Sequence, residues 1–252
     1  MTTKARNDAV HADLAWEPVT VPEAVLAKLK QVAVTTIAGM LAQHGVRNTY
    51  LREVLPRNAH QSFAGTAFTL RTLPTRADIA KAMQGRGSLH RETFKRVGKN
   101  EVVVIDARGD LEAGVLGDIY AAQIIANGGA ALVTDGAIRD LAAMQEVELP
   151  VYARGMNSGS FPERHLAMDL NVPVQCAGVL VMPGDVLVGD PSGAIVVPQA
   201  LAADVAEKGY ETDMRDAFSR MKVLEGVSVD EVFPLQQSRM AEYEAWRKQQ
   251  TG

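Results

Sequence analysis

The sequence predicts an α/β fold, and three observations within roughly forty residues carry that prediction. Val102–Ile105 is a short apolar run of the kind that forms a buried strand, and Asp106 ends it. After a glycine-bearing loop, Asp118–Asn127 carries apolar residues at helical spacing, and two glycines behind it can stop a helix. Ala130–Thr134 is a second apolar run. Strand, helix and strand in this order form a βαβ unit, whose strands are parallel.

The amino-terminal elements follow from the same rules. Residues 1–20 are mixed and polar and predict an arm. Residues 22–42 follow a helical period, and Gly45 is expected to end that helix. Phe63–Leu70 alternates enough to predict a strand, in which Gly65 marks a place where two backbones approach closely.

Residues 74–99 predict a helical excursion broken by Gly85 and Gly87. This is the most basic stretch of the chain, and its basic residues are Lys81, Arg86, His90, Arg91, Lys95, Arg96 and Lys99. Two interpretations stay open at this point. The charges form either a solvated helix face or a wall over an anion-binding site.

Inside the βαβ unit, the helix residues at apolar spacing are Ile119, Ala122, Ile125 and Ala126. A turn is expected at Asp135–Gly136 after the second strand, followed by Arg139–Asp140. The helix climbs about 15 Å in about ten residues. The returning strand covers a similar rise in about five residues. Arg139–Asp140 should therefore lie near Gly117, where the helix begins.

This position at a helix N-terminus suits an anion, because unpaired N–H groups and a partial positive charge lie there. Gly117 would allow an anion close to the backbone, and Arg139 would add a bidentate clamp. Asp140 offers an oxygen ligand to a hard divalent metal. Asp118 either favours the helix dipole as a first-turn acid or binds a metal-held water. The sequence thus predicts a site for an anionic substrate and a metal ion.

The carboxyl half predicts short strands and then a helical tail. The strands are expected at Leu149–Tyr152, Gly178–Met182, Asp185–Val188 and Gly193–Val197. Pro183–Gly184 is expected to join the middle two as a hairpin, and residues 155–165 read as a loop. Residues 200–252 predict the helical tail, with Tyr243 and Trp246 packing it onto the body or onto a neighbouring chain.

Composition narrows the class of protein. The chain has 252 residues, 47% of them hydrophobic, a net charge of −4 and 5% aromatic residues. An acidic chain with few aromatic residues is not expected to bind nucleic acid. The single cysteine, Cys176, rules out an internal disulfide and fits a cytoplasmic protein. Neither a signal peptide nor a membrane span is recognisable.

Several motifs match one family. They are Gly117-Asp118-Ile119-Tyr120, then Asp135-Gly136-Ala137-Ile138-Arg139-Asp140, with Phe63–Ala67 upstream and Pro183–Asp185 and Val188–Asp190 downstream. With these residues the chain resembles the regulator-of-ribonuclease-activity-A-like (RraA-like) proteins, which include 4-hydroxy-4-methyl-2-oxoglutarate aldolases. The likeness covers roughly residues 30–200.

The resemblance implies a single RraA-like domain over residues 1–252. The implied fold is a three-layer, mixed-sheet arrangement resembling the swivelling phosphohistidine-domain type, with helical amino- and carboxyl-terminal extensions. It also implies a homotrimer, or a hexamer of two trimers, with sites between subunits.

For the site, the resemblance implies that residues 117–120 and Arg139 hold the pyruvoyl part of a small 2-oxo acid. Asp140 would hold Mg²⁺ or Mn²⁺, partly through water. One position departs from the pattern, since Ala143 stands where those aldolases often carry an acid. Among the histidines, His165 is a weak acid–base candidate and His90 a weaker one.

The function expected from these residues is a divalent-metal-dependent lyase that releases pyruvate, by retro-aldol cleavage or by decarboxylation of oxaloacetate. Its catalytic residues would be Arg139, Asp140 and Asp118. Two alternatives stay open. One is a non-enzymatic regulator that binds an RNA-processing nuclease. The other, left open by Ala143, is a metal-dependent hydratase or hydrolase acting on a sugar-derived oxo acid.

Overall fold

A computed structural model describes residues 20–58, 62–83 and 88–250. Its strands are β1 Leu55–Pro56, β2 Phe63–Pro74, β3 Glu101–Asp106, β4 Ala131–Ile138, β5 Val151–Met156, β6 His165–Leu170, β7 Val174–Cys176, β8 Val179–Val181, β9 Val186–Asp190 and β10 Gly193–Val197. Its helices are α1 Glu23–Leu29, α2 Val34–Gln43, α3 Ala77–Met83, α4 Leu89–Arg96, α5 Asp118–Ala126, α6 Leu141–Met144, α7 Phe161–Arg164, α8 Ala202–Leu224, α9 Val229–Val232 and α10 Met240–Gln250. Short 3₁₀ turns lie at Gln199–Leu201 and Gln237–Arg239.

The main sheet is mixed. Its order is β1-β5-β4-β3-β2-β9-β10, and β6 pairs with the second half of β2. Strands β2 to β5 run parallel, because α5 and other connections return the chain to the same end of the sheet each time. Strands β1, β6, β9 and β10 join antiparallel. The predicted mixed α/β fold is confirmed, whereas the comparison with the swivelling phosphohistidine type stays a prediction.

The sheet curls until it almost closes into a barrel. The segment just before β1 reaches the last strand, β10. The backbone N–H of Leu51 donates to Ala194 at 2.9 Å, and that of Val196 donates to Thr49 at 2.9 Å. One apolar cluster, which includes Phe63, fills the inside of this barrel. Two further clusters cover its outside, under α4–α5 and under the terminal helices.

The βαβ unit is confirmed as β3, α5 and β4, but the expected turn at Asp135–Gly136 is wrong, because β4 continues through Ile138. Both residues are used inside the sheet. The Asp135 carboxylate accepts from the backbone N–H groups of Ala107 at 2.8 Å and Gly109 at 3.0 Å. A Cβ at Gly136 would press on the Cβ of Ala107. The Asp-Gly pair therefore serves close packing within a strand.

Helix α5 directs part of its apolar sequence outward. Ala121 and Ile124 are the residues that it buries against the core. Ile119 is 77% exposed, and Ile125 lies on the same exposed side. The helical spacing therefore predicted the helix correctly, although the apolar residues that define the spacing face away from the protein's own core.

The terminal extensions pack together over β9 and β10. The amino-terminal helix predicted over residues 22–42 is two helices, α1 and α2, which meet at 111°. The long helix α8 contacts both of them. Tyr243 of α10 is buried against Phe218 of α8, with ring centroids 5.7 Å apart, so Tyr243 joins two helices of the tail to each other. Residues 1–19 of the predicted arm lie outside the described residues.

The carboxyl half corrects two expectations. Strands β8 and β9 do not form the predicted hairpin, because β8 pairs with β7 while β9 lies between β2 and β10. The predicted loop at residues 155–165 contains the end of β5, the helix α7 and the start of β6. Serine, asparagine and glycine cap and connect these short elements, as in the capping box of Ser160 and Glu163.

The basic excursion forms α3 and α4, as predicted, and the glycines expected to break it, Gly85 and Gly87, fall outside the described residues. Among the helices that the structure describes, none by itself is long and apolar enough to span a membrane. The bent pair α1–α2 reaches the required length and composition only when taken together.

Candidate anion and metal site

The loop before α5 runs along the end of β4, and this contact builds the candidate site. The backbone N–H of Val115 donates to Ala137 at 2.8 Å, and that of Arg139 donates to Leu116 at 3.0 Å. Gly117 then caps α5. The structure therefore places Gly117 beside Arg139–Asp140, as expected from the rise of the helix and of the returning strand.

Gly117 is required by close packing and not by its backbone angles, because its φ of −122° and ψ of −177° suit any residue. A Cβ at this position would collide with Oδ2 of Asp140. Asp140 itself has φ 59° and ψ 41°, a left-handed conformation that is uncommon for a non-glycine residue. Such conformations concentrate at functional sites. The Asp140 carboxylate is thus turned against the first turn of α5.

Arg139 and Asp140 form an ion pair, with Nε and Oδ2 3.0 Å apart. Their side chains are 39% and 37% exposed, so both keep access to solvent and to a ligand. A guanidinium has five N–H donors, and the pairing with Asp140 uses one of them. The remaining donors leave Arg139 able to bind an anion.

A cleft of about 940 Å³ opens beside this pair. Of the predicted site residues, Gly117, Tyr120 and Arg139 line it, whereas Asp118, Ile119 and Asp140 do not. These six residues are the complete set predicted from the sequence. The carboxylate of Asp118, in the first turn of α5, forms no hydrogen bond or ion pair with another described residue. It is therefore free to hold a ligand or a metal-bound water.

The basic helix α4 forms another wall of the cleft. Arg91 and Lys95 line it and are exposed, and Lys95 pairs with Glu92 at 3.0 Å. For these residues the solvated helix face is confirmed; they also face the cleft, and the binding of an anion there stays a prediction. Together with Arg139 they place three cationic side chains on the cleft, of which Lys95 is paired with Glu92 and Arg139 with Asp140.

A cluster of aromatic and histidine side chains forms the inner part of the cleft wall. The rings of His90 and Phe161 stack with centroids 3.8 Å apart, and Phe94 and Tyr120 stack at 4.5 Å. Burial lowers the pKa of His90 to about 4. Burial, followed by the charge of Arg108, lowers the pKa of His165. Both histidines are thus neutral near pH 7.

Neither histidine is a strong candidate from the sequence alone. They lie far apart in the chain and meet only because β6, which begins at His165, pairs with the end of β2 next to α4. No spacing rule connects such positions. The one available signal was that His90 lies in the basic stretch already interpreted as a wall.

The loop between β3 and α5, residues 107–117, is called the site loop. Asp135 anchors its start from inside the sheet. Besides its two bonds to the loop backbone, its carboxylate accepts from Gln175 Nε2 at 3.0 Å and from the Ala177 N–H at 3.2 Å. Gln175 also donates to Asp106 at 2.6 Å. Burial raises the pKa of the Asp106 carboxyl. This network fixes the loop that leads to Gly117.

The donor set at Asp140 suits a small hard cation. The structure contains no group of three or more His, Cys, Asp or Glu side chains arranged for a metal ion among the residues it describes. Mg²⁺ does not need such a group, because it keeps several waters and binds through one or two carboxylates. Asp140 and Asp118, which flank Gly117, are two carboxylates of that kind.

The fold and the site define a class: a mixed α/β protein with an almost closed sheet and an Arg-Asp pair packed against a helix N-terminus. Comparison of the sequence with family models places residues 29–196 in the family described as RraA-like, Aldolase/RraA. This segment is most of the chain. The protein therefore belongs to the RraA-like family.

Two bacterial relatives are provisionally named 4-hydroxy-4-methyl-2-oxoglutarate aldolase. The protein of Halalkalibacterium halodurans is 34% identical over 116 residues, which cover 46% of this chain and 55% of that protein. The protein of Ectopseudomonas mendocina is 38% identical over 115 residues, covering 46% of this chain and 70% of that protein. The first alignment thus spans little more than half of the relative.

Two solved structures share the fold. RraAS2 of Streptomyces coelicolor, described as an unusual member of the RNase ES inhibitor RraA protein family, is 28% identical with a TM-score of 0.73. The match covers 81% of this chain and 100% of RraAS2. An uncharacterized protein of Pseudomonas syringae pv. tomato is 24% identical, with a TM-score of 0.76 over 87% of this chain and 97% of that one.

Proposed function

We propose that the protein is a divalent-metal-dependent lyase that cleaves a small 2-oxo acid and releases pyruvate. The observation that carries the proposal is the Arg139–Asp140 pair held against Gly117 at the N-terminus of α5. The names of the two bacterial relatives support an aldolase among such lyases.

The carboxylate of the substrate would bind at the first turn of α5. The backbone N–H groups of Asp118, Ile119 and Tyr120 lie in the first turn of α5. No carbonyl of the same helix can accept from them, so they are available as donors to a ligand. Arg139 would bind the same carboxylate from the side of β4 with a charge-assisted hydrogen bond. The positive end of the helix dipole adds to this attraction.

The reacting carbonyl would lie toward Asp140 and Asp118. A divalent ion held there, Mg²⁺ or Mn²⁺, would supply positive charge to the 2-oxo oxygen. Retro-aldol cleavage and decarboxylation of oxaloacetate both leave the pyruvate enolate, so one site serves both reactions. Arg139 fixes the substrate carboxylate, which orients the bond to be broken relative to the carbonyl.

The test is pyruvate release from a panel of 2-oxo acids with Mg²⁺ or Mn²⁺, for the parent protein and for Arg139→Lys. Lysine keeps the charge but loses the planar fork. Loss of one charged hydrogen bond costs about 1.5–3 kcal/mol, which corresponds to a fall in kcat/KM of roughly 10- to 150-fold. Oxalate mimics the enolate and should inhibit the parent more strongly than the variant.

The outcome that would reject the lyase is the absence both of turnover across the panel and of metal-dependent oxalate binding. Asp140→Asn provides a second test of the proposal. This variant should bind the metal ion more weakly in calorimetry while the protein stays folded. Unchanged metal affinity in that variant would remove Asp140 from the site.

A second candidate is a regulator that binds an RNA-processing nuclease, and the likeness to RraAS2 favours it. Such a protein needs an exposed surface and no metal, so Arg139→Lys should leave its binding unchanged unless Arg139 lies in the contact. A hydratase or hydrolase for a sugar-derived oxo acid is the remaining alternative. It would consume its substrate in the same panel without releasing pyruvate.

A further inference from the structure

Asn157 follows the last residue of β5 and lies beside the candidate site. Strand β5 pairs with β4 as far as Met156, which lies opposite Ile138. The backbone N–H of Asn157 then donates to the carbonyl of Ile138 at 2.9 Å. The pairing of the two strands therefore extends to the residue immediately before Arg139, and Asn157 stands at its end.

The side chain of Asn157 forms two hydrogen bonds with the backbone. Its Oδ1 accepts from the N–H of Gly159 at 2.7 Å, which is the local turn that an asparagine commonly forms with the residue two positions ahead. Its Nδ2 donates to the carbonyl of Leu111 at 2.9 Å, and Leu111 lies 46 residues earlier in the chain, in the site loop. Asn157 thus joins the end of β5 to the site loop.

The same turn holds the part of the site loop against which Arg139 packs. The carbonyl of Gly159 accepts from the N–H of Gly114 at 2.9 Å. A Cβ at Gly114 would lie 3.0 Å from Cβ of Arg139 and 3.2 Å from its Cγ, and also 3.0 Å from the carbonyl oxygen of Asn157. The aliphatic stem of Arg139 therefore lies directly against backbone that the Asn157 turn fixes.

We propose that Asn157 is a positioning residue for Arg139, because it fixes the site loop against the stem of Arg139 and so holds the guanidinium ready for an anion. An arginine loses rotamer freedom when it binds a ligand, and a stem that is already held by packing loses less. Asn157 is not among the residues that line the cleft, so its effect passes through Arg139. The inference rests on the role of Arg139 in the proposed function.

The test is a double-mutant cycle of Asn157→Ala and Arg139→Lys, read by metal-dependent oxalate binding. Asn157→Ala alone should weaken oxalate binding about three- to tenfold, the effect of one neutral hydrogen bond. In the Arg139→Lys background the same change should alter oxalate binding by less than about twofold, because the side chain that Asn157 positions is absent. Equal falls in both backgrounds would overturn the positioning role.

Asn127→Ala is the matched control. The Nδ2 atom of Asn127 donates to the carbonyls of Phe94 at 3.0 Å and Lys95 at 3.1 Å, at the far end of α5 from Gly117. Its loss removes bonds of the same kind and should leave oxalate binding within about twofold of the parent. Asn157→Ser should bind oxalate more tightly than Asn157→Ala, because a serine hydroxyl can form the same turn, and it replaces an alanine variant that does not fold.

A second measurement is independent of the lyase. The Nε–H of Arg139 donates to Oδ2 of Asp140 at 3.0 Å, so its NMR signal reports the position of the guanidinium. This signal, identified by its loss in Arg139→Lys, should shift in Asn157→Ala and stay in place in Asn127→Ala. An unchanged signal in Asn157→Ala would overturn the inference. If the parent neither turns over a 2-oxo acid nor binds oxalate, the proposed function fails, and the signal still decides the role of Asn157.

Discussion

At the residue scale, the contact between Gly117 and Asp140 is the tightest point of the candidate site. Any side chain at position 117 would push the Asp140 carboxylate away from α5 and from Arg139. The left-handed backbone of Asp140 leaves its short side chain few alternatives. Gly117 is therefore expected to matter more for binding than for stability.

Gly117→Ala should lower metal-dependent oxalate binding by about tenfold or more, the effect of losing a charge-assisted contact, while unfolding in urea changes by about 1 kcal/mol or less. Gly39→Ala is the matched control, because nothing lies within 4 Å of a Cβ there and alanine favours a helix interior. Oxalate binding that survives in Gly117→Ala would show that the close approach is not used for a ligand.

Asp185 gives a prediction for stability against pH. It is buried, its carboxylate accepts from the Met182 N–H at 2.9 Å, and burial raises its pKa from 3.8 to about 6. Between these two values the folded state binds the proton more tightly than the unfolded state. Stability from this group is therefore present at low pH and is lost as the pH rises through about 6.

Asp185→Asn removes the charge, so the variant should be more stable than the parent at pH 7, by about 1–2 kcal/mol after the unmet amide donor is counted. The parent should lose stability between pH 4 and pH 6 more steeply than the variant in urea titrations. Asp230→Asn, at an exposed position, should keep the slope of the parent. Identical slopes for the parent and Asp185→Asn would contradict the assignment.

At the element scale, the two ends of the chain are joined at the N-terminus of α2. No side chain within α2 caps it. The carboxylates of Asp213 in α8 and Asp190 in β9 accept instead, from the N–H of Ala33 at 2.7 Å and of Val34 at 2.9 Å. Asp213 also accepts from the hydroxyl of Thr36. A residue of the tail thus performs the capping that a local serine or aspartate usually performs.

Asp213→Ala should lower the free energy of unfolding by about 1–2 kcal/mol, the usual loss for a helix cap. Chemical denaturation followed by circular dichroism measures this directly. Glu244→Ala, exposed on α10, is the comparison and should change stability by about 0.5 kcal/mol or less. If Asp213→Ala had the same free energy of unfolding as the parent, water would have to replace the cap without loss of stability.

At the scale of the whole molecule, the expected trimer or hexamer stays a prediction, and the outward face of α5 supports it. Ile119 and Ile125 are exposed there, and Leu141 of α6 is exposed as well. Large apolar side chains grouped on a surface commonly mark a contact with another chain. The face also adjoins the candidate site, because Ile119 lies in the first turn of α5.

Ile119→Glu should reduce the assembly, because a charge would be buried in the contact without a partner. Sedimentation of the parent at micromolar concentration is expected to give three or six times the chain mass of 27.1 kDa, and the variant a lower mass. Leu180→Glu, on the exposed side of β8, should leave the mass unchanged. A monomeric parent would refute the assembly and any site shared between subunits.

The sequence by itself determined the βαβ unit and the position of its site motifs. Apolar runs predict β3 and β4 because both strands are buried, so their sequence carries a continuous signal. The fixed rises of helix and strand then bring Gly117 to Arg139–Asp140, because only local geometry is involved. The family follows from the same motifs.

The tertiary structure alone decided which distant segments pair. The Asp-Gly pair at 135–136 has turn chemistry, yet it lies within β4 because loop amides and Ala107 pack against it. The partners of β8 and β9 and the closure of the sheet depend on strand pairing across many residues. The meeting of His90 with the site loop depends on it too. Such contacts arise from the packing of the whole core, which no short window of sequence contains.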